Sequence, residues 1–135
     1  MKFEKIIPRK QNPTKMAESH SLGKRGEKIA VDHLLANGYK IIERNWTTGK
    51  REIDIIAEDD NYIIFVEVKT RTADFQVHPR DAVSVPKQRN IIFAAHTYIE
   101  RNLPDKEARF DIISIIFDRG RFRTEHIEDA FYPTL

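Results

Sequence analysis

The sequence predicts an α/β protein with a mixed central β-sheet of about five strands flanked by helices. Segments rich in Val, Ile, Phe and Tyr, which favour strands, alternate with segments whose apolar residues recur at helical spacing. Gly, Asp, Asn and Pro stand between these segments, where turns are expected. The resulting order, α-β-β-β-α-β-β, predicts a sandwich in which helices cover the sheet.

The composition indicates one highly charged globular domain. The 135 residues are 40% hydrophobic and 33% charged, with a net charge of +2. We expect a flexible basic arm over residues 1–18, which include Pro8 and Pro13, and a single domain over residues 19–135. The arm is interpreted as an unstructured tail, and contact with nucleic acid is the alternative. A net charge this small names no partner, so any nucleic-acid surface must come from local clustering.

Several classes of protein are disfavoured. The chain has no cysteine, which excludes disulfides, thiol catalysis and cysteine-based zinc sites and fits a reducing cytoplasm. No apolar run is long enough to span a bilayer, and the N-terminus has no apolar stretch of the secretory type. The five histidines show no zinc-hydrolase spacing, and no phosphate-binding loop of a nucleotide-driven motor occurs. We expect a cytoplasmic protein that does not bind membranes.

The first predicted helix begins at Ser19 or Ser21, either of which can cap it. It runs to about Asn37 and ends at Gly38. Gly26 is interpreted as a point of close approach to another element. The apolar stripe of this helix consists of Leu22, Ile29, Ala30 and Leu34.

The second predicted helix has Ser84 as its cap and Pro86 in its first turn. It runs to about Asn102 and stops before Pro104. Its apolar stripe consists of Ile91, Ile92, Ala95, Tyr98 and Ile99.

Five strands are predicted, and three of them lie between the helices. Residues 72–81, which follow the third strand, are polar and irregular, and we expect a mobile loop at the mouth of a site. The strands span residues 39–47, 51–58, 62–71, 108–117 and 122–127.

The second and third strands form a predicted hairpin whose register can be worked out. A two-residue loop at Asp60 and Asn61 places Asp54 opposite Glu67, and it places Glu52 opposite Lys69. Because side chains alternate along a strand, these four share one face near the end remote from the turn. The other face is apolar and consists of Ile53, Ile55, Ala57, Ile64, Val66 and Val68.

The charges inside this apolar hairpin require a physical explanation. Two carboxylates that face each other repel unless a cation lies between them, and magnesium prefers carboxylate oxygens. Lys69 can reach the same centre and stabilise charge on a phosphate, which predicts a metal-assisted hydrolytic site. The alternative is a buried salt-bridge network, but two acids and one base leave a charge unbalanced.

These residues resemble known motifs. Asp54 followed by Glu67-Val68-Lys69 resembles the Asp…(Asp/Glu)-x-Lys signature of the restriction-endonuclease-like nuclease fold. Over roughly residues 21–117 the chain resembles the bacterial UPF0102 (YraN-like) family, which is itself similar to archaeal Holliday-junction resolvases. The longer resemblance includes Gly23-x-x-Gly26-Glu27-x-x-Ala30, Gly38-Tyr39, Arg44-Asn45-Trp46, Glu52-Ile53-Asp54-Ile55-Ile56-Ala57, Phe65-Val66-Glu67-Val68-Lys69-Thr70-Arg71 and Arg109-Phe110-Asp111.

The resemblance implies a site and a cofactor. Asp54 and Glu67 would bind Mg²⁺ or Mn²⁺, with the Val68 carbonyl as a further ligand. Lys69 would orient or activate water or stabilise the transition state, and Glu27 on the first helix would complete the acidic site. Without the resemblance, Glu27 is better interpreted as one more solvated helix charge.

One position departs from the family pattern. The family usually has glycine where this chain has Arg51, directly before Glu52. Gly49 can provide the turn instead, since glycine reaches turn conformations that other residues avoid. We expect a different shape at the hairpin entry and no loss of metal binding.

Basic residues near the acidic site are candidates for nucleic-acid binding, namely Lys24, Arg25, Arg71 and Lys87. Arg71 can instead pair with an acid, and Lys87 can equally be a solvated lysine at a helix start. For Asp111, inside a buried-looking strand, we expect a structural partner such as an arginine.

Three functions remain open. The first is a metal-dependent endonuclease acting on DNA, selective for branched or otherwise unusual structures as in the resolvases. The second is a nucleic-acid-binding module that keeps the fold with little or no turnover. The third is an interaction protein with a buried ionic core. A resolvase makes two cuts and needs two active sites. A homodimer would therefore support an endonuclease that acts on DNA junctions.

Overall fold

The computed structural model describes residues 13–74 and 83–133. The strands form one sheet in the order β1-β2-β3-β4-β5, in which β3 and β4 run parallel and the other neighbours run antiparallel. This confirms the mixed five-stranded sheet and the order α-β-β-β-α-β-β. The elements are α1 (Pro13–Ala36), β1 (Lys40–Thr48), β2 (Arg51–Glu58), β3 (Tyr62–Thr72), α2 (Val85–Asn102), β4 (Glu107–Asp118) and β5 (Arg121–Phe131).

The two helices cover opposite faces of the sheet, and each face has its own apolar cluster. Ala30, Val31 and Leu34 of α1 pack on the face that contains Ile55 and Ile64. The cluster on the other face contains Phe65, Phe110 and the buried residues of α2, which are Ile91, Ala94, Ala95 and Tyr98. The helical periodicity therefore identified the buried side of both helices, although Val31 and Ala94 were not among the predicted residues.

Helix α1 begins at Pro13, so the predicted start at Ser19 or Ser21 is wrong. Proline suits the first turn of a helix, where its missing N–H has no partner to lose, and most of residues 14–18 are adequate helix formers. Residues 1–12 of the predicted arm lie outside the described residues. The end of the helix is as predicted, because Gly38 follows it with a φ of 88°.

Helix α2 starts and ends where the sequence indicates. The Ser84 side chain accepts a hydrogen bond from the Lys87 N–H at 3.3 Å, and Pro86 lies in the first turn. At the other end Leu103 adopts a left-handed conformation with a φ of 44°. The residue that follows it, Pro104, could not have continued the helix.

The predicted register of the β2–β3 hairpin is confirmed near its turn. Ala57 pairs with Ile64, and the paired residues run from Glu58 opposite Ile63 to Ile55 opposite Val66. The Asp59 carboxylate accepts the N–H groups of Asn61 and Tyr62, each at 2.8 Å. Asp59 thus shapes the turn that sets the register, as Asp commonly does through its own backbone.

The predicted face of Ile53 is wrong. Ile53 packs with Ile56 in the cluster under α2, whereas Ile55 packs under α1. Regular alternation would have placed Ile53 and Ile55 on the same face. The interruption lies at Asp54, opposite Asn45 of β1, whose φ of 52° departs from strand geometry. β2 is therefore irregular at the candidate site in two respects. Its alternation breaks at Asp54, and its pairing with β3 ends at Ile55–Val66.

The remaining connections agree with the turn chemistry of the sequence. Gly49 has a φ of 60° in the turn between β1 and β2. It is the residue expected to provide this turn in place of the glycine that the family has at the position of Arg51. Of the predicted loop over residues 72–81, residues 75–81 lie outside the described residues. Within residues 13–74 and 83–133, neither helix is long and apolar enough to cross a membrane.

Candidate active site

The site forms where β2 and β3 part beyond the pair Ile55–Val66. The N–H of Val68 donates to Oδ2 of Asp54 at 2.8 Å. An aspartate side chain thus occupies the place where a backbone carbonyl of β2 would continue the antiparallel hydrogen bonding. The break in alternation at Asp54 directs its carboxylate toward β3, and this brings it beside Glu67.

Glu67 is buried next to Asp54. Its exposed fraction is 5%, and the two carboxyl groups are hydrogen-bonded to each other. Burial, and then the charge of Asp54, raise the pKa of Glu67 to about 8, against the opposing charges of Lys87 and Lys69. Burial beside Asp54 therefore disfavours the ionised form of Glu67 in the metal-free protein.

The pKa of Asp54 is also raised. Burial is the largest cause, and the hydrogen bond from Val68 opposes it. The nearby charges of Glu27 and Glu52 raise the pKa further. Three acids thus surround Asp54, and this concentration of negative charge is costly unless a cation joins it.

Two lysines lie on the side of Glu67. The Lys87 ammonium is 3.7 Å from Oε2 of Glu67, and 48% of its side chain remains exposed. Lys69, two residues along β3, is the second cation acting on Glu67. The sequence left Lys87 undecided between a phosphate contact and a solvated lysine, and its ion pair with Glu67 places it at the acidic centre.

Glu27 is positioned by the residue before it. A methyl group at Gly26 would overlap Oγ1 of Thr70 and lie 3.1 Å from its Cβ. Only glycine lets α1 approach β3 this closely, which confirms the predicted close approach at Gly26. The approach places half-buried Glu27 near enough to Asp54 for its charge to act there.

The donor set available to a metal is small. Among the described residues, no group of three or more His, Asp or Glu side chains is arranged to hold an ion. Asp54 and Glu67 would therefore act with the Val68 carbonyl, and water would complete the coordination. This composition fits Mg²⁺, which usually keeps several waters and is bound through one or two carboxylates.

The four basic residues predicted to contact nucleic acid lie on three elements, α1, β3 and α2. Lys24 and Arg25 are exposed on α1, and the Arg25 guanidinium lies 4.7 Å from the centre of the Phe117 ring. Arg71 is half-buried on β3, and Lys87 is at the carboxylates. Lys24 and Arg25 thus flank Glu27 on the first helix, whereas Lys87 approaches Glu67 from the second.

Asp111 has the structural partner expected for it. Arg109 donates to both of its oxygens, at 2.9 and 2.8 Å, and His126 lies 2.8 Å from one of them. His126 also contacts His33 of α1 at 3.0 Å, and Tyr39 contacts Arg109 at 2.7 Å. This network ties β4 to β5 and α1 and is separate from the Asp54–Glu67 pair.

Sequence reasoning missed two features beside the site. Arg51 lies over the ring of Phe93, 4.1 Å from its centre, and donates to Asn90 at 3.3 Å. Ser114 is fully buried opposite Lys69, and its hydroxyl has no partner in the part of the chain that the structure describes. Phe93 stands within the apolar run Ile91–Ala95, so nothing in the sequence distinguished it from a core residue. Nothing in the sequence distinguished Ser114.

The fold and site define an α/β protein with a mixed five-stranded sheet and a buried carboxylate pair where two of its strands part. The chain belongs to the family described as "Uncharacterised protein family UPF0102", whose model matches residues 26–115. That span includes Glu27, Asp54, Glu67 and Lys69. The resemblance seen in the sequence is thereby confirmed at the level of the family.

Individual relatives are similar over most of the chain. A UPF0102 protein of Bacteroides fragilis is 50% identical over 121 residues, which cover 89% of this chain and 99% of that protein. One from Bacteroides thetaiotaomicron is 45% identical over 120 residues, with the same coverage of 89% and 99%. One from Flavobacterium psychrophilum is 46% identical over 117 residues, covering 87% and 98%.

Proposed function

We propose that the protein is a divalent-metal-dependent endonuclease that hydrolyses phosphodiester bonds in DNA. The observation that supports this most directly is the buried, hydrogen-bonded pair of Asp54 and Glu67, whose pKa values are both raised. A protein that needed only a stable core would gain from an apolar pair at this position. Perturbed acids of this kind cluster at functional sites.

The ion in this proposal is Mg²⁺ or Mn²⁺, and Asp54, Glu67 and the Val68 carbonyl would hold it. When bound, such an ion lowers the pKa of water and stabilises charge on a phosphate oxygen. Glu67 must give up its proton for the ion to bind, because a metal ligand has to be deprotonated. The hydrogen bond from Val68 to Asp54 holds one carboxylate in place throughout.

The lysines and Glu27 have separate roles in the proposal. The Lys69 ammonium stabilises negative charge that develops on the scissile phosphate. Lys87 holds the Glu67 carboxylate through its ion pair and offers a second positive charge beside it. Glu27 acts at longer range, orienting water at the edge of the acidic site, because it lies on the neighbouring helix and its charge reaches Asp54 from there.

The DNA would approach along the basic residues around the site. Lys24 and Arg25 at the Glu27 end of α1 would contact backbone phosphates, with Arg71 from β3 closer to the carboxylates. Selectivity for branched DNA and action as a homodimer are further parts of the proposal. Two active sites in one assembly would allow the paired cuts that resolution of a junction requires.

The second candidate is a DNA-binding module with the same fold and little turnover. It is favoured by the finding that no three or more His, Asp or Glu side chains are grouped to hold an ion within the described residues. It predicts salt-sensitive DNA binding without metal binding. Calorimetric titration of the protein with Mn²⁺ separates the two candidates.

A nuclease panel tests the proposal. Labelled duplex, single-stranded and four-way DNA would be incubated with Mg²⁺, Mn²⁺ or EDTA and with wild type, Asp54→Asn, Glu67→Gln or Glu52→Gln. We expect cleavage only with metal, and we expect Asp54→Asn and Glu67→Gln to reduce it by more than about a hundredfold. Exposed Glu52 is the matched control, since its substitution removes a nearby acid that is not proposed as a ligand. Cleavage that survives the Asp54 and Glu67 substitutions would refute the nuclease proposal.

A further inference from the structure

A cation–aromatic pair lies beside the candidate site and has no place in the roles described so far. The Arg51 guanidinium lies 4.1 Å from the centre of the Phe93 ring, and its Nε donates to Asn90 at 3.3 Å. Phe93 nevertheless remains 56% exposed. The part of the ring that Arg51 leaves uncovered offers a flat apolar surface on which another ring can stack.

Phe93 is connected along α2 to the lysine at the carboxylates through Asn90. Asn90 is three residues from each of them, so it neighbours both Lys87 and Phe93 as the row of side chains winds around the helix. At about 1.5 Å per residue, the six residues from Lys87 to Phe93 span about 9 Å along the axis. Lys87 contacts Glu67, so this row of side chains leads from the acidic centre to the exposed ring.

Phe93 also forms part of the wall of a groove of about 480 Å³ between α2 and β4. Apolar side chains, among them Ala95, Ala108 and Phe110, line the groove, and Arg89 and His96 contribute polar groups. Glu100 is 3.6 Å from His96, and the two form an ion pair when His96 is protonated. The groove thus combines a flat aromatic wall and an apolar lining with positively charged neighbours.

We propose that this groove binds an unpaired nucleobase of the DNA strand whose phosphate lies at the carboxylates, with the base stacked on Phe93. The inference rests on the proposed function, because DNA is the substrate in both. A nucleobase is flat and apolar on its faces, and it is attached to an anionic backbone. It therefore matches an aromatic wall flanked by Arg51 and Arg89 better than a purely apolar ligand would.

The geometry narrows the substrate class. A base inside a duplex is stacked on both faces and cannot enter a side groove without being unstacked. Phe93 lies about 9 Å along the helix axis from Lys87, which contacts Glu67, so a base stacked on Phe93 belongs to a nucleotide close to the cleaved bond. The favoured substrates are therefore DNAs with unpaired nucleotides close to the cleaved bond, such as single strands, flaps and junctions.

The test measures binding without metal, so that it does not depend on cleavage. A short single strand and a hairpin duplex of the same composition would be titrated in EDTA and followed by fluorescence anisotropy. We expect Phe93→Ala and Phe93→Leu to weaken single-strand binding about tenfold, with little change for the duplex. Phe93→Trp, which restores a π face, should bind the single strand at least as well as wild type. Arg101→Ala, which removes an exposed charge at the far end of α2, is the matched charge control.

A second measurement reports stacking itself. A single strand containing a fluorescent adenine analogue should be quenched on binding to wild type and to Phe93→Trp, and much less on binding to Phe93→Leu. Thermal melting of each variant shows that the fold is retained, which the exposure of Phe93 leads us to expect. Leucine keeps the apolar bulk, so a difference between Leu and Trp isolates the aromatic face.

The outcomes separate this inference from the proposed function. Equal single-strand affinity and equal quenching in wild type and Phe93→Leu would overturn the base-binding groove, and metal-dependent cleavage could still stand. If single-strand binding depends on Phe93 but no cleavage is detected with metal, the base-binding groove is supported and the nuclease proposal is contradicted. Absence of any DNA binding by wild type would overturn the groove, and absence of cleavage in the separate samples that contain Mg²⁺ or Mn²⁺ would overturn the nuclease proposal as well.

Discussion

The Asp54 carboxylate accepts the backbone N–H of Val68, with 2.8 Å between Oδ2 and N, at the point where β2 and β3 part. This hydrogen bond contributes both to the fold and to the proposed active site. It satisfies an N–H that the interrupted strand pairing would otherwise leave without a backbone partner. It also fixes the orientation of Asp54 beside Glu67.

The two roles of Asp54 can be separated by substitution. Asparagine keeps an oxygen that can accept from Val68 and removes the charge, so Asp54→Asn should be at least as stable as wild type in EDTA. Alanine leaves the N–H unsatisfied, and we expect Asp54→Ala to be less stable than Asp54→Asn by about 1–3 kcal/mol. Urea denaturation measures both. Equal stability of the two variants would show that the Val68 bond contributes nothing to the fold.

The raised pKa of Glu67 predicts a pH dependence of stability in the metal-free protein. The folded state holds the proton up to about pH 8, whereas an unperturbed glutamate releases it near 4.5. The stabilisation that protonation provides is therefore complete below pH 4.5 and is lost as the pH rises through about 8. Urea denaturation between these values should show wild type losing stability relative to Glu67→Gln, which cannot titrate. Parallel curves for the two proteins would contradict the prediction.

The contact between Gly26 and Thr70 predicts opposite effects for two glycine substitutions in one helix. Gly26→Ala should destabilise the protein by about 1–3 kcal/mol, because the added methyl overlaps Thr70. Gly23→Ala meets nothing within 4 Å and should stabilise it by about 0.5–1 kcal/mol, since alanine is the better helix former. Thermal or urea denaturation measures both.

A rescue variant tests the cause of the Gly26 effect. Thr70→Ala removes the Oγ1 and Cγ2 atoms that the new methyl would meet, so the double variant should recover part of the lost stability. Gly26→Ala should also lower cleavage more than its stability explains, because it displaces Glu27. Additive effects of the Gly26 and Thr70 substitutions would mean that the two residues do not crowd each other.

The hydrogen bonds that Asp111 accepts lead us to expect that the protein loses stability in acid, whether or not metal is present. Burial alone would raise its pKa, but hydrogen bonds from His126, Arg109 and the Asp129 N–H lower it. Stability from its ionised form is therefore present above the unperturbed value, 3.8, and is lost as the pH falls through the lower folded value. Asp111→Ala should cost about 3–5 kcal/mol at neutral pH, because it leaves Arg109 buried without its partner. Guanidinium denaturation of the variant measures this cost, and a loss below about 1 kcal/mol would contradict it.

Much of the fold and part of the site could be predicted from the sequence because they depend on local chemistry. Asp59 and the alternation of apolar residues specified the hairpin register, and Gly26 identified the close approach of α1. The face of Ile53 could not be predicted, since the alternation breaks where β2 stays paired with β1 but is no longer paired with β3. The start of α1 was misplaced because Ser19 and Ser21 can cap a helix and can also lie within one.

By itself the sequence determined the order of the elements, the buried side of each helix, and the presence of Asp54, Glu67 and Lys69 on one hairpin. Periodicity and turn residues act over a few positions, so they can be read without coordinates. Only the tertiary structure decided which distant groups meet there. Lys87 at Glu67, Arg51 over Phe93, and His33 against His126 join residues far apart in the chain, and their contacts exist only once both helices pack on the sheet.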